Sequence, residues 1–318
     1  FPYSTDITVN PLTWGDVDDV TYNHSGGIAV SPLGFDLNGA MEVHNIGEIW
    51  ANTLWQMRAN IIADPAGANG NVPVGNRTAL QLVTDGLKAT PIDPSFTDGR
   101  DALIDADCTT NACVNEASIW SAFAKRGLGW GAETPYNTLF GYSAGHMGVK
   151  ESFRVPYLDV QAPLTDVVIN DSATNNNGAI DPGESFLMTV KLFNPWRRAS
   201  QASGVVTATL TTATPGVTIY TATATYANIA AQGSVVGTPF KVGVSPSIAA
   251  GAPIDFTLTT TSALGTTTTT FRVRVGTRSG TLPVVTYTRS AVNKAIPDNA
   301  PRGVSDTLTV ADDYEIAD

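Results

Sequence analysis

The sequence predicts a multidomain α+β chain: a mainly helical lobe with long loops, followed by an antiparallel Ig-like β-sandwich. Three observations carry that prediction. At 318 residues the chain is too long for one small core and suits at least two domains. The first 150 or so residues hold nearly all the tryptophan and histidine and most of the 3.6-residue periodicity. After about residue 160, Thr, Val, Ala and Gly dominate in short alternating runs separated by turn residues. The division is placed at residues 1–160 for the lobe and 161–294 for the sandwich, with a third texture at 295–318.

Residues 1–40 are rich in Pro, Gly, Asn and Asp, and Pro2, Pro11 and Pro32 discourage regular structure, so long surface loops are expected. The first helix spans 43–62, where Ile46, Trp50, Leu54, Met57 and Ile61 recur at spacings of three and four. A second helix covers 77–88 with Leu80, Val83 and Leu87 inward. A third covers 95–106, with Ser95 or Thr97 as N-cap and Ala102, Leu103 and Ile104 inward. The fourth, 115–126, presents Ile119, Trp120 and Phe123 and stops at Gly127, a residue suited to the left-handed conformation that ends helices. Trp50, Trp55, Trp120 and Trp130, at helical spacing, read as core rather than as a carbohydrate platform.

In the second half, 166–170, 186–193, 204–210, 254–260 and 271–275 read as strands, and the threonine-rich run 259–270 as a strand pair around Gly265. Between the first two lies Asp171-Ser-Ala-Thr-Asn-Asn-Asn-Gly-Ala-Ile-Asp-Pro-Gly-Glu184. Asn175, Asn177, Gly178, Asp181 and Glu184 approximate the spacing of a calcium loop, with Asp171 able to reach in. Ala173 stands where that pattern begins with a ligand, and a plain Asx-rich turn is the alternative.

Acids outnumber bases, 29 to 18, for a formal net charge of −11. No basic run exists to neutralise phosphates, so neither nucleic acid nor an anionic membrane is an expected partner. No apolar stretch approaches the roughly 20 residues that cross a bilayer. Cys108 and Cys113, two cysteines alone, are too few for a protein-only zinc site; a short-loop disulfide in an oxidising compartment is the preferred reading, with free thiols the alternative. Asn23, Asn76 and Asn170 fit the three-residue glycosylation pattern. Phe1 lacks a preceding Met and a basic leader, so the chain is expected to begin inside a longer precursor or at a processing point.

Three separated segments, Glu42-Val-His-Asn-Ile-Gly-Glu-Ile-Trp-Ala-Asn-Thr-Leu-Trp-Gln-Met57, Ala79-Leu-Gln-Leu-Val-Thr-Asp-Gly-Leu-Lys88 and Ser118-Ile-Trp-Ser-Ala-Phe-Ala-Lys-Arg-Gly-Leu-Gly129, resemble the C-terminal half of a fungalysin-type zinc metallopeptidase. Those enzymes belong to the wider thermolysin-like group. Phe1-Pro-Tyr-Ser-Thr-Asp and Asn10-Pro-Leu-Thr look like the loop ahead of the catalytic histidine. The resemblance covers about residues 1–150. It implies that His44, opening the first helix, donates a hydrogen bond to the oxyanion of the tetrahedral intermediate, held by Asp36 in preference to Glu42. It implies zinc in the complete enzyme, a polypeptide substrate cleaved before hydrophobic residues, and secretion.

The sequence departs from the family at the metal. No His-Glu-x-x-His occurs, and His24 and His146 stand far apart, so the zinc helix and its lobe are expected outside this chain. Ala295-Ile-Pro-Asp-Asn-Ala-Pro-Arg-Gly-Val and Asp306-Thr-Leu-Thr-Val resemble the opening of a P (proprotein-convertase-like) domain, of which only the first strand is present. Two functions follow. The chain is the C-terminal part of a secreted protease, inactive alone, or it is a non-catalytic extracellular, adhesive or filament-forming module that associates through its 304–318 strand.

Overall fold

The computed structural model describes residues 2–17, 43–92, 94–133 and 149–276; of residues 43–45 the helical backbone alone is described. The described residues belong to one compact unit, and 281–318, with the 304–318 strand expected from the sequence, lie outside the described residues.

Four helices build the lobe: α1 (Val43–Ala63), α2 (Val72–Ala89), α3 (Phe96–Asn111) and α4 (Glu116–Lys125). Ser95 caps α3 through a capping box, its Oγ accepting from the Asp98 N–H at 3.2 Å while Asp98 Oδ2 accepts from the Ser95 N–H at 2.9 Å. Past Lys125 the chain turns at Gly127 (φ +80°), and the Leu128 N–H returns to the Phe123 carbonyl at 2.9 Å.

Helix α2 differs from its sequence reading in start and in face. It begins five residues earlier, because Asn71 caps it (Val74 N–H to Oδ1, 3.2 Å) and Pro73 suits a first turn. Leu80 and Leu87, expected inward, are 70% and 63% exposed, while Gly75, Ala79, Leu82 and Gly86 are buried. Both sets satisfy a helical period. The small set wins because α2 packs closely: a Cβ at Gly86 would lie 2.8 Å from Leu103 Cδ2 of α3. A second correction concerns Trp55, which is 39% exposed rather than core, with the Arg58 guanidinium 4.6 Å from its ring centroid and Tyr3 at 6.4 Å. Trp120 is buried and Trp50 is half-buried in the lobe core with Ile49, Met57, Ile61, Ile104, Ile119 and Phe123.

After a short helix α5 (Pro163–Asp166), nine strands follow: β1 (Val167–Asn170), β2 (Ser185–Phe193), β3 (Val206–Thr212), β4 (Val217–Thr221), β5 (Thr223–Tyr226), β6 (Ser234–Val236), β7 (Phe240–Val244), β8 (Pro253–Ser262) and β9 (Gly265–Arg274). One sheet runs β1-β2-β7-β4, with β6 also on β2; the other runs β5-β3-β8-β9, and every pair is antiparallel. Alternation sends Phe186, Met188, Val190 and Leu192 of β2 inward. Val206, Ala208 and Leu210 of β3 and Ile254, Phe256 and Leu258 of β8 do the same, so both sheets share one apolar core. The threonine run forms the β8–β9 hairpin, where Thr259–Thr268, Thr260–Thr267 and Thr261–Thr266 meet across the strands.

Candidate functional site

Helix α1 is the element on which the predicted catalytic histidine stands. His44 is in its first turn; its side chain, together with Asp36, Glu42, His24 and His146, lies outside what is described. The helix that carries it is fixed from three sides. Trp50, about 9 Å along the axis from His44 at 1.5 Å per residue, stacks edge-on against Phe123 of α4 (centroids 5.5 Å) and lies 5.3 Å from Phe96 of α3. Further along, Asn60 Nδ2 donates to the Ser118 carbonyl at 3.1 Å, and the Ser118 hydroxyl donates to Asp64 Oδ2 at 2.9 Å. From the third side the N-terminal segment crosses α1, its Ser4 N–H donating to Asn52 Oδ1 at 3.0 Å.

That segment is held by a residue the sequence reading did not single out. Arg126, fully buried at the end of α4, donates to the carbonyls of Asn10 (2.6 Å), Leu12 (3.0 Å) and Ser4 (2.8 Å). Burial pushes its pKa down to about 10, which leaves it cationic at neutral pH. Its partners are more than a hundred positions away in sequence, so no local pattern marks it.

A half-open cavity of about 250 Å³ lies beside α1, lined by Trp50, Val83, Gly86, Phe96, Leu103 and neighbours. It offers no free chemistry. Its hydroxyl side chains are Thr90, which donates to the Leu87 carbonyl, and Ser95, engaged in the α3 cap. Among the described residues no group of three His, Cys, Asp or Glu side chains is placed to hold a metal ion. Among the described residues none therefore fits a zinc site.

The predicted calcium residues are brought together at the β1–β2 connection, with Asp171 and Glu184 buried. Asp171 Oδ2 accepts the N–H groups of Asn177 (2.8 Å) and Gly178 (3.0 Å). Asp181 Oδ2 meets the side-chain amides of Asn175 (2.5 Å) and Asn177 (2.7 Å). Glu184 accepts from the Asp181 N–H at 3.1 Å and from the Thr174 hydroxyl. Each of these carboxylates accepts from donors of the loop itself, as the carboxylates of an Asx-rich turn do. Cys108 and Cys113 are joined in a disulfide across the end of α3, where Ala112 and Cys113 take left-handed conformations (φ 52° and 58°). So small a loop contributes about 2 kcal/mol.

Residues 1–132 match the fungalysin metallopeptidase (M36) family. The chain is 37% identical over 141 residues to extracellular metalloproteinase 1 of Arthroderma otae, covering 42% of this chain and 19% of that protein. It is 34% identical over 149 residues to extracellular metalloproteinase 10 of Coccidioides posadasii, covering 44% of this chain and 20% of that one. The chain thus spans about a fifth of the length of these relatives. Among solved structures, a FixG-related protein from Vibrio parahaemolyticus matches 30% of the chain at 17% identity with a TM-score of 0.20, too low to carry an argument about fold.

Proposed function

We propose that this chain, whose first 132 residues are a fungalysin-type segment, is the C-terminal portion of a secreted zinc-dependent endopeptidase that supplies one wall of the substrate cleft. The observation that carries the reading is the place of His44: the first turn of a long helix, within the matched region, locked by α3, α4 and the N-terminal segment. A histidine so placed suits donation of a hydrogen bond to an oxyanion, and Asp36 is assigned to orient it. The zinc and its His-Glu-x-x-His helix belong to sequence outside this chain, and the substrate is a polypeptide. Secretion is supported by the relatives, which are named extracellular, and no helix among the described residues is long and apolar enough to cross a membrane. Residues 161–294 are assigned to an Ig-like sandwich and 295–318 to the start of a P-like domain.

The test is made in the complete parent protein. His44→Ala is expected to lower kcat by about 10²–10³-fold, the effect of removing one oxyanion donor, while zinc content stays stoichiometric. Unchanged turnover overturns the role. The chain alone is expected to hydrolyse no peptide.

A second reading concerns the 171–184 loop, favoured by the two asparagine amides that converge on Asp181. Amide oxygen and nitrogen are interchangeable by rotation. Turned over, Asn175 and Asn177 would join Asp171, Asp181 and Glu184 in an oxygen set suited to calcium. A calcium-dependent rise in Tm that Asp181→Ala abolishes supports calcium; an identical Tm in chelator and in calcium leaves the self-closed Asx turn.

A further inference from the structure

The turn after β2 does not stay in the sandwich. In Asn194-Pro-Trp-Arg-Arg198, Trp196 is buried within the apolar cluster of the helical lobe, with Ile104, Ile119 and Phe123. The following two residues are received by Glu116, the first residue of α4. Its carboxylate accepts the Arg197 N–H at 3.0 Å and the Arg198 N–H at 2.9 Å. The Arg198 guanidinium donates to the Val114 carbonyl at 3.2 Å, and Arg197 pairs with Asp105.

Both sides of this contact are built rigidly. On the sandwich side, Asn194 Nδ2 donates to the carbonyls of Gln201 (2.8 Å) and Ile229 (3.1 Å), and the Gln232 N–H donates to the Trp196 carbonyl at 2.9 Å. On the lobe side, the Cys108–Cys113 disulfide closes the end of α3. Asp107, buried, accepts the Asn115 N–H at 2.8 Å and its side-chain amide at 2.7 Å, which sets the residue just ahead of Glu116. A second contact lies at the β8–β9 hairpin. Leu264 packs against both apolar clusters, and Arg154, on the segment leaving the lobe, donates to the Thr268 carbonyl at 3.1 Å.

We propose that the β-sandwich is a fixed part of the helical lobe rather than a tethered module, and that Glu116 is the positioning residue that keys the Asn194–Arg198 turn into it. Several features distinguish this surface from incidental contact between neighbouring domains. A buried carboxylate given over to another domain's backbone N–H groups has no use when that domain swings away, since it would be left without those donors. A tryptophan contributed to the other domain's core ties apolar burial to the same pose. Helix α4, which carries Glu116, also packs against Trp50 of α1 through Phe123. The sandwich thereby sets the pose of the helix that bears His44. The proposal holds whether or not the chain belongs to an active peptidase.

The experiment uses the whole chain and two readouts: urea unfolding followed by probes in each domain, and trypsin cleavage after Arg197 or Arg198. The wild-type chain is expected to unfold in one transition coincident for both probes, with those bonds resistant under native conditions. Glu116→Ala is expected to separate the transitions and open the Arg197 and Arg198 bonds to trypsin. Glu116→Gln, which keeps an acceptor oxygen, restores coincidence and resistance. A Glu116→Ala chain that fails to fold while Glu116→Gln folds counts on the same side. Two separate transitions in the wild type overturn the proposal, as does Glu116→Ala behaving like the wild type in both readouts.

Discussion

The two regions of this molecule are held together by different means. Between the sheets the buried side chains come from alternating apolar positions, and the fit of Phe256, Leu258, Met188 and Val190 decides the energy. In the helical lobe, charged and amide side chains are buried as well: Arg100, Asp107, Glu116, Arg126, Asn10 and Asn52. Most of these reach backbone groups of distant segments, so the lobe's loops are tied by single polar nodes. In the sandwich the buried carboxylates and amides, Asp166, Asp171, Glu184 and Asn194, stand in the connections, while the strands spread their stability over many apolar contacts. The difference teaches where each region is fragile. A node removed leaves several orphaned groups at once, whereas an apolar side chain removed leaves one cavity.

The largest expected effect comes from the strongest node. Arg126→Ala orphans the carbonyls of Ser4, Asn10 and Leu12, each worth about 1–3 kcal/mol, for a total of about 3 kcal/mol or more. The loss is local in character: proteolysis within residues 2–17 should rise sharply below the unfolding midpoint. A stability loss under about 1 kcal/mol, with the segment still protected, would show that water replaces the guanidinium and that the node is not one. In the sandwich, Phe256→Ala should cost about 3–5 kcal/mol through its cavity, with no new cleavage at residues 2–17. If both variants open the N-terminal segment equally, the contrast between the regions fails.

The same contrast explains what the sequence discloses. The sandwich strands β2, β3, β8 and β9 are legible because alternation is local, and Ser95, Gly127 and the four helices because caps and periodicity are local too. The short strands β4 to β7 escape because three to five residues do not establish a period, whereas β1, equally short, is legible from its β-branched run Val167-Val-Ile169. The inward face of α2 escapes because Leu80 and Leu87 satisfy hydrophobicity while Gly75, Ala79 and Gly86 satisfy distance, and only the packing partner chooses between them. Arg126 and Glu116 escape because their partners lie more than eighty positions away. Of the candidate site, His44 is reached through the family resemblance and the helix it opens, since one histidine at a helix start has no local signature of catalysis. Asp36 lies outside the described residues, so its assigned role rests on that resemblance as well.

The smallest effect, and the sharpest contrast, is in pH dependence. Burial pushes the Glu116 carboxyl above the ordinary glutamate range, against the pull of the Arg198 and Arg197 N–H groups, the Arg197 charge and Trp120. In the sandwich the exposed Asp255 goes the other way, held below its ordinary range chiefly by its hydrogen bond from Arg272. The two groups contribute opposite slopes. Where Glu116 titrates, the folded chain binds more protons than the unfolded one, so its contribution is fully present below the ordinary glutamate pKa and declines as pH rises towards the raised value. Asp255 contributes above its ordinary pKa and loses that contribution as pH falls through the lowered one, an effect that solvent screening keeps small. Urea midpoints measured across the acid range, for the wild type against Glu116→Gln and Asp255→Asn, separate the two. The difference between wild type and Glu116→Gln should move against the wild type as pH rises above the ordinary glutamate value, and that for Asp255→Asn against it as pH falls. A wild-type advantage over Glu116→Gln that grows with pH in that window would mean the donors outweigh burial at Glu116. The lobe's nodes would then behave electrostatically like the surface pairs of the sandwich.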